Sequence, residues 1–328
     1  MTKEQILTVD IGGSKVEIQT IDKNGERGPN VFRSLIGLKL DNDSFFRLLT
    51  DNIKPLIQVE KNSEILGISI GSPGPLDSVN GIIEDTPNLK GVKNFKIVEK
   101  LRDAFNLPVF LLNDADAAGL GEYWLGAGRG CASVVYLTLS TGVGSASLVN
   151  GVLQRGLGKA PEWGHTLLAV EAEEYQRLCN CGSFGCAEAY LGTNGLANTY
   201  AKVFNVNFAN MTYNNRHSIS PKLRDGVGAG EPKWLEVQKK YAHHLAILLR
   251  NIILVHQPGV IILGGGIACK NKHLLTETKK ALDQIMNPAK YKIAVMKNGV
   301  NICLAEFENP VNLGAAKYAF DQLQLKGE

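Results

Sequence analysis

The feature that most constrains this chain is a cluster of thiols near its middle. Three of the six cysteines, Cys179, Cys181 and Cys186, fall between residues 179 and 186, with Gly182 and Gly185 between them. Thiolates at this short spacing, with glycines that permit tight turns, are typical of a structural zinc site. The alternatives are reduced surface thiols or a redox pair. We expect this stretch to fold as a metal-binding knuckle.

A tetrahedral zinc site needs a fourth ligand, and histidine is the usual partner of three thiolates. His165 is the expected ligand, although thirteen residues separate it from the first thiol of the cluster. His217, His243 and His244 are the competing candidates. Glu162 lies three residues before His165 and Glu188 lies two residues after the last thiol of the cluster, so the metal is expected to position carboxylates around a polar ligand pocket.

Composition limits the class of protein to which the chain can belong. The 328 residues are 44% hydrophobic and 20% charged, as in an ordinary globular protein with one large domain or two smaller ones. A formal net charge of +3, without a block of basic residues, argues against nucleic acid as a partner. The longest apolar region, 245–267, is interrupted by Arg250 and Pro258, so no membrane span is expected. We read no export signal at the N-terminus and expect a cytoplasmic protein.

The hydrophobic pattern alternates between strand-like and helix-like segments, which predicts an α/β fold. Predicted strands are Ile6–Asp10, Val16–Ile21, Ile65–Ile70, Val109–Leu112, Val134–Leu139, Ala146–Leu148 and Val260–Leu263. Predicted helices are Ile97–Phe105, Trp234–Val255 and a last helix that opens at Leu313.

Two strand-turn-strand segments carry glycines that allow backbone N–H groups to approach an anion closely. Their turn residues are Gly12, Gly13, Ser14 and Lys15 in the first segment and Thr141 and Gly142 in the second. Asp10 precedes the first turn and could hold Mg²⁺ directly or through water. Each turn alone is equally an ordinary hairpin, but the pair indicates a clamp for a polyphosphate. Gly264, Gly265 and Gly266 follow another strand, where they could admit a base or ribose or form a plain tight turn.

Asp114 is the candidate general base, because it follows the buried-type strand Val109–Leu112 together with Asn113. Ligands of α/β folds bind at the carboxyl ends of strands. Phosphoryl transfer to an alcohol needs a carboxylate that accepts the hydroxyl proton, and a neighbouring amide can donate to a substrate hydroxyl. The alternative is a turn that caps the following helix, and this alternative weighs most for Asp116.

Taken in order, these motifs resemble the ROK family (repressors, open reading frames, kinases) of the actin-like sugar-kinase ATPase superfamily. The resemblance covers essentially the whole chain. It rests on DIGGSK at Asp10, GSPGPLD at Gly71, TPNLKG at Thr86, NDADAA at Asn113, LSTGVG at Leu139, EWGH at Glu162, CNCGSFGCAE at Cys179 and LGGGI at Leu263.

The resemblance implies an ATP-dependent hexokinase with two ribonuclease-H-like (actin-like ATPase) α/β domains and a cleft between them. It implies transfer to the 6-hydroxyl of a hexose, with glucose as the leading substrate, and it implies ATP, Mg²⁺ and a structural Zn²⁺. The expected smaller domain is 1–116 plus 313–328. The expected larger domain is 117–312, with the zinc motif and a dimer surface. Relatives suggest a homodimer or homotetramer.

The same resemblance assigns roles to individual residues. Asp114 is then the catalytic base, and one nitrogen of the zinc ligand His165 is left for the sugar. The implied sugar contacts are Gly74, Asn88, Asn113, Asp114, Glu162, His165 and Glu188. The implied phosphate and nucleotide contacts are Asp10, Gly12, Gly13, Ser14, Lys15, Thr141, Gly142, Gly264, Gly265 and Gly266.

Other functions stay open at this stage. The substrate could be N-acetylglucosamine, N-acetylmannosamine, mannose or fructose, since room for a 2-acetamido group cannot be read from a sequence. A sugar-sensing transcription regulator of the same family would carry a DNA-binding module, for which we find no residues before Ile6. An actin- or chaperone-like ATPase switch is disfavoured by the thiol cluster and the carboxylates of the expected sugar site.

Overall fold

The structure is a computed structural model that describes residues 3–35, 38, 40–59, 63–86, 89, 91–157, 159–168, 177–269, 271–286 and 300–327. The chain forms two compact units. The first comprises Met1–Gly130, Ala146–Pro161 and Asn309–Glu328, and the second comprises Cys131–Ser145 and Glu162–Glu308. The boundaries expected from the sequence, at 116/117 and 312/313, stay a prediction. Within the described residues, no helix is both long enough and apolar enough to cross a membrane.

Strands and helices alternate along the described chain. The strands are β1 (Lys3–Ile11), β2 (Lys15–Asp22), β3 (Arg27–Ser34), β4 (Ser63–Ser72), β5 (Leu76–Asp77), β6 (Ile82–Ile83), β7 (Val109–Asn113), β8 (Ser133–Leu139), β9 (Val143–Val149), β10 (Val152–Leu153), β11 (Val260–Gly264) and β12 (Asn301–Leu304). The helices are α1 (Asn42–Val59), α2 (Ile97–Phe105), α3 (Asp114–Leu125), α4 (Glu188–Leu191), α5 (Thr193–Phe204), α6 (Tyr213–His217), α7 (Ile219–Gly228), α8 (Pro232–His256), α9 (Gly265–Ala268), α10 (Lys272–Ile285) and α11 (Val311–Gly327).

The first sheet has the strand order β3-β2-β1-β4-β7. The first three strands are antiparallel, whereas β1, β4 and β7 run parallel, so their carboxyl ends lie at one edge. The register places Asp10 opposite Gly71, and Ser72 opposite Asn113. Ile6, Leu7 and Val9 of β1 are buried without a polar alternation, as expected for a central strand with both faces covered. This edge therefore collects the polar residues that follow three strands.

The second sheet has the order β10-β9-β8-β11-β12, in which β8, β11 and β12 are parallel. The core beside it contains the long helix α8, whose apolar face buries Leu245, Leu248 and Ile252 completely. A proline at the first position opens α8, and Gln257 closes it in the left-handed conformation. The sequence-based prediction of this helix is confirmed to within two residues at its start and one at its end.

One strand of the first sheet, β3, was not predicted. Most of its side chains are exposed, so it lacks the alternation of buried and exposed residues that marks a strand in a sequence. It pairs with β2 alone and forms the outer edge of the sheet. Strands β5 and β6 are two residues each and were equally invisible to a pattern-based prediction.

Candidate active site and metal centre

The four predicted metal ligands come together in the second unit. The ligand atoms of His165, Cys179, Cys181 and Cys186 all lie within 4.8 Å of one another. The Sγ atoms of Cys181 and Cys186 are 3.8 Å apart, and Sγ of Cys179 is 3.7 Å from Nδ1 of His165. A tetrahedral zinc ion with ordinary bond lengths requires about 3.8 Å between two sulfurs and about 3.5 Å between sulfur and nitrogen. The donor set therefore fits Zn²⁺, and the alternative histidines are not part of it.

The backbone of the knuckle explains why this sequence gathers its thiols. The N–H of Cys179 donates to the carbonyl of Ser183 at 2.8 Å, and the N–H of Gly182 donates to the carbonyl of Cys179 at 3.0 Å. Gly182 and Gly185 have φ values of 89° and 78°, which most other residues avoid. The backbone N–H of Ser183 lowers the pKa of Cys181 to about 7, which favours a thiolate ligand.

Glu188 connects the knuckle to the second glycine turn. It is the first residue of α4, two positions after the ligand Cys186. Its Oε1 lies 3.5 Å from Sγ of Cys179, and its Oε2 accepts from the backbone N–H of Val143 at 3.1 Å. A Cβ atom on Gly142 would lie 2.5 Å from Oε2, so glycine is needed for this approach. The metal centre thereby fixes a carboxylate against the turn between β8 and β9.

The turn Ser140–Gly142 is held in place by the start of α5. The backbone N–H of Thr193 donates to the carbonyl of Ser140 at 2.9 Å, and its hydroxyl donates to the same oxygen at 3.0 Å. Oγ1 of Thr141 lies 3.4 Å from Nε2 of His217, whose Nδ1 lies 2.9 Å from the carbonyl of Tyr213. His217, which the sequence offered as an alternative metal ligand, therefore contacts this turn from α6.

A cavity of about 480 Å³ in the second unit brings two predicted sites together. Thr141 of the glycine turn, Cys179 of the knuckle and Glu188 all line it. The side chain of Glu162 is 70% exposed, and its Oε2 lies 3.9 Å from Nε2 of His165. Because Nδ1 of His165 faces the thiols, Nε2 is the ring nitrogen left for another partner.

The glycine run 264–266 lies where β11 passes into α9, beside β8. Gly265 has φ of 80°, and a Cβ atom there would lie 2.5 Å from the carbonyl of Leu139. A Cβ atom on Gly264 would lie 2.2 Å from the hydroxyl of Tyr136, whereas one on Gly266 would meet nothing within 4 Å. Gly264 and Gly265 are therefore needed for a tight turn, which was the alternative to a nucleotide contact. Of the three glycines, only Gly266 faces open space.

In the first unit, Asn113 and Asp114 stand at the carboxyl end of β7, as predicted. Asn113 is the N-cap of α3, and its Oδ1 accepts from the backbone N–H groups of Ala115 and Asp116 at 2.9 and 3.3 Å. The capping role that the sequence left to Asp116 therefore belongs to Asn113. A Cβ atom on Gly74 would lie 3.8 Å from Nδ2 of Asn113, so Gly74 adjoins this cap. Asn88, a predicted sugar contact, lies outside the described residues.

Asp10 is the last residue but one of β1, at the same sheet edge, and it is mostly buried. Burial raises its pKa to about 6, the hydrogen bond from Asn309 opposes that rise, and the negative charge of Asp114 adds to it. The two carboxylates are therefore close enough to interact. Lys15 lies beside Asp10, and its Nζ is 3.9 Å from Oε2 of Glu17. A buried carboxylate near a second carboxylate is typical of a cation or catalytic site.

Two residues near Asp10, Asn309 and Glu17, were not predicted from the sequence. Nδ2 of Asn309 donates to Oδ2 of Asp10 and to Oε2 of Glu17, both at 2.9 Å. Glu17 lies in the middle of β2, and Asn309 lies just before α11, far from Asp10 in the chain. No sequence motif links such positions, and Glu17 does not stand out in β2, which also contains Gln19, Thr20 and Asp22.

The first glycine turn is a hairpin that joins β1 to β2. Ile11 pairs with Val16, and the backbone N–H of Gly12 donates to the carbonyl of Lys15 at 2.8 Å. Gly13, Ser14 and Lys15 are exposed at the tip of the hairpin. Nζ of Lys15 also lies 5.1 Å from the centre of the Phe32 ring. The turn is therefore formed and accessible within its own unit.

Comparison with known proteins agrees with these observations. The family model described as "ROK family" matches residues 6–316. A glucokinase of Thermotoga maritima is 30% identical over 294 residues, which are 87% of this chain and 90% of that protein. A xylose repressor of Caldicellulosiruptor bescii is 27% identical over 291 residues, 85% of this chain and 70% of the repressor. The crystal structure of a ROK hexokinase from Thermus thermophilus has a TM-score of 0.80 at 27% identity and covers 98% of this chain and 99% of the hexokinase. The chain belongs to the ROK family, and its two mixed sheets agree with the two actin-like ATPase domains of ROK sugar kinases.

Proposed function

We propose that this protein is an ATP-dependent hexokinase that phosphorylates a hexose at its 6-hydroxyl, with glucose as the leading substrate. The observation that carries the proposal is the position of Asp114. It opens α3 at the edge where β1, β4 and β7 end, close enough to Asp10 for their charges to interact. A base and a cation-binding carboxylate at one sheet edge suit phosphoryl transfer to an alcohol. The names of the glucokinase and hexokinase relatives support the same class.

In this proposal Asp114 accepts the proton of the 6-hydroxyl while the hydroxyl oxygen bonds to the γ-phosphorus of ATP. The bond from the γ-phosphorus to the bridging oxygen breaks, and ADP leaves. Asp10 would hold Mg²⁺, which neutralises phosphate charge when it is bound. The phosphates would contact the two glycine turns, with Gly12, Gly13, Ser14 and Lys15 in one and Thr141 and Gly142 in the other. Gly264–Gly266 would lie near the adenosine.

The sugar would be held by the remaining predicted contacts, which are Gly74, Asn88, Asn113, Glu162, His165 and Glu188. The zinc ion is structural in this proposal. Its coordination by Nδ1 leaves Nε2 of His165 for a sugar hydroxyl, and the knuckle positions the carboxylate of Glu188. The fit of the donor set to a tetrahedral ion supports this role for zinc.

The first experiment is a coupled assay of ADP release with ATP, Mg²⁺ and a panel of hexoses. The panel contains glucose, mannose, fructose, N-acetylglucosamine and N-acetylmannosamine, so it also tests the alternative substrates. Substrate-dependent turnover with glucose foremost is the expected result. If none of the sugars releases ADP while a specific DNA fragment binds in a gel-shift assay, the proposal is wrong and the regulator class replaces it.

Asp114→Asn provides the sharper test of mechanism. Loss of the base should lower kcat by roughly 10²–10⁴-fold, because the amide cannot accept the proton. Glucose affinity, measured by calorimetry without ATP, should stay within about tenfold of the unmodified protein. Asp103→Asn, at an exposed position of α2, is the matched control and should keep full turnover. Undiminished turnover in Asp114→Asn would remove Asp114 from the mechanism.

A further inference from the structure

A second cavity in the second unit has no role in the proposed reaction. Its volume is about 730 Å³, within the range of small-molecule sites. Its walls come from Tyr190 of α4 and from α5, α8 and α10. Neither Thr141 nor Glu188 lines it, whereas Arg177 and Lys202 line both this cavity and the one beside Glu188. We call it the rear cavity.

The rear cavity is strongly basic. Among the described residues, five cationic side chains line it against two carboxylates, namely Arg177, Lys202, Lys239, Lys240 and Lys280 against Glu236 and Glu277. The two carboxylates already pair with Lys240 at 3.4 Å and Lys280 at 3.6 Å. A concave surface with an excess of cations concentrates anions from solution.

Arg177 is the most buried of these cations, and no described carboxylate pairs with it. Its guanidinium lies 4.6 Å from the centre of the Tyr190 ring. One terminal nitrogen donates to the carbonyl of Gly195 at 2.9 Å, and both terminal nitrogens reach Oγ1 of Thr199 at 3.2–3.3 Å. Among the described residues its Nε has no acceptor. A partly desolvated cation with unused donors is unfavourable unless an anion completes it.

Two buried polar atoms in the wall of the rear cavity also lack partners. Tyr190 is 1% exposed, and its hydroxyl has no hydrogen-bond partner among the described residues. The same holds for Nδ1 of His244, whose ring centre is 4.8 Å from that of Tyr190. By contrast, the hydroxyl of the equally buried Tyr241 donates to the carbonyl of Leu191 at 2.6 Å. Buried polar groups without partners are rare in folded proteins and call for a missing ligand or water.

Charge and burial act together on His244. Burial, together with the positive charges of Arg177, His243, Lys202 and Lys240, lowers its pKa to about 3. Its ring is therefore neutral at physiological pH and can donate or accept one hydrogen bond. The charged groups that act on its pKa are cationic, and the carboxylates of the cavity, Glu236 and Glu277, already pair with Lys240 and Lys280. An anion is therefore the complementary ligand.

We propose that the rear cavity binds a small phosphomonoester. A phosphate group carries nearly two negative charges and three acceptor oxygens, which suits the unused Nε–H of Arg177, the hydroxyl of Tyr190 and the nearby lysines. The organic part of the ligand would fill the remaining volume. Tyr190 and Glu188 belong to the same turn of α4, so the ligand contacts the helix that carries a proposed sugar contact.

Isothermal titration with glycerol 3-phosphate tests this site without relying on activity. The titration is run at constant ionic strength, with glycerol as the neutral control and inorganic phosphate as the arm that separates a phosphomonoester from free phosphate. Saturable binding that is tighter for glycerol 3-phosphate than for inorganic phosphate is expected. Absence of saturation at about 10 mM for both, or tighter binding of inorganic phosphate, would overturn the proposal.

Substitutions in the wall of the rear cavity test whether glycerol 3-phosphate binds there. Lys239→Met, at an exposed position, and Tyr190→Phe should each weaken glycerol 3-phosphate at least roughly tenfold. Lys272→Met, an exposed residue at the start of α10 outside the lining, is the control and should not change affinity. Tyr190→Phe should melt at the same or a higher temperature without ligand, since it removes an unpartnered hydroxyl. Equal affinity in the unmodified protein, Lys239→Met and Tyr190→Phe would refute the site.

Discussion

At the scale of single residues, Asp10 shows how a buried carboxylate can oppose folding. Its burial raises its pKa from 3.8 to about 6, so the folded chain binds a proton that the unfolded chain has released. Between these two values, the contribution of Asp10 to stability falls as the pH rises. At neutral pH the cost is about 3 kcal/mol. Such a cost fits the role that we propose for Asp10, in which its charge would hold a cation.

Asp10→Asn should therefore stabilise the protein above pH 6. The gain in the free energy of unfolding should reach about 3 kcal/mol at pH 7.5 and fall to roughly 0.5 kcal/mol near pH 4, because the carboxyl is then protonated in the folded state and only partly ionised in the unfolded state. The asparagine carbonyl can still accept from Asn309. Urea denaturation at both pH values measures the effect, with Asp103→Asn as the exposed control. A destabilised Asp10→Asn protein at pH 7.5 would contradict this account.

At the scale of secondary-structure elements, the knuckle has little apolar surface of its own. Leu178 and Phe184 are more than half exposed, and of the segment between them only Cys179 is buried, so core burial contributes little to its order. Its order depends instead on backbone hydrogen bonds and on the four metal ligands. The short helix α4 begins two residues after Cys186, so the position of the knuckle determines the position of this helix.

Removal of one ligand should therefore release the metal. Cys181→Ser should lower bound zinc from about one equivalent to near zero, since serine is a poor zinc ligand at neutral pH. Elemental analysis of the purified protein provides the measurement. Cys303→Ser, in β12 and away from the donor set, should keep about one equivalent. Full zinc occupancy in Cys181→Ser would mean that the ligand set is wrong.

Helices α3 and α11 depend on glycine for their close packing. A Cβ atom on Gly314 of α11 would lie 1.7 Å from the carbonyl of Ala117, and one on Gly121 of α3 would lie 2.4 Å from the carbonyl of Pro310. The two backbones thus touch, and neither neighbour is a flexible side chain that could move aside. The final helix can take its place only with glycine at these positions.

Gly314→Ala should lower the free energy of unfolding by about 1–3 kcal/mol or more, because the added methyl group forces the helices apart. Gly228→Ala is the matched control. It lies at the end of helix α7, where an added Cβ meets nothing within 4 Å, and it should be neutral or stabilise by about 0.4–1 kcal/mol. Thermal and urea denaturation of both variants compare them. If Gly314→Ala were as stable as Gly228→Ala, the close contact at Gly314 would not limit the stability of the protein.

At the scale of the whole molecule, the units are discontinuous in sequence. The first unit takes in Ala146–Pro161 and the C-terminal helix as well as the N-terminal residues. Arg155 in the returning segment pairs with the buried Asp116 at 2.7 Å, and its guanidinium lies 5.5 Å from the centre of the Tyr318 ring. Three separate stretches of chain therefore meet around one cation.

Arg155→Met should cost about 3–5 kcal/mol, because it leaves the carboxylate of Asp116 buried without its cation. Adding Asp116→Asn should recover much of that loss. Lys317→Met, which removes one partner of the surface pair with Asp321, should cost less than about 1 kcal/mol. Urea denaturation of the three variants tests the series. No recovery in the double variant would show that Arg155 acts through packing and not through its charge.

These contacts mark the limit of what the sequence could predict. The seven predicted strands and the ends of α8 follow local rules of periodicity and capping, and the structure confirms them, whereas β3 follows no such rule. The four predicted zinc ligands follow a rule of ligand spacing, and they lie together in the structure. Asn309 and Arg155 act through partners that are distant in the chain and have no characteristic spacing. The placement of Asn113 as a cap, not Asp116, depended on where β7 ends, to within one residue.

The discontinuity has a consequence for synthesis. Asn309, which donates to both Asp10 and Glu17, is made about 300 residues after Asp10. A nascent chain can pair β1 with β2 early, yet it cannot complete the surroundings of Asp10 until Asn309 has emerged. Until then Asp10 and Glu17 lack the amide donor that they share, so this end of the sheet stays incomplete during most of the synthesis of the chain between them.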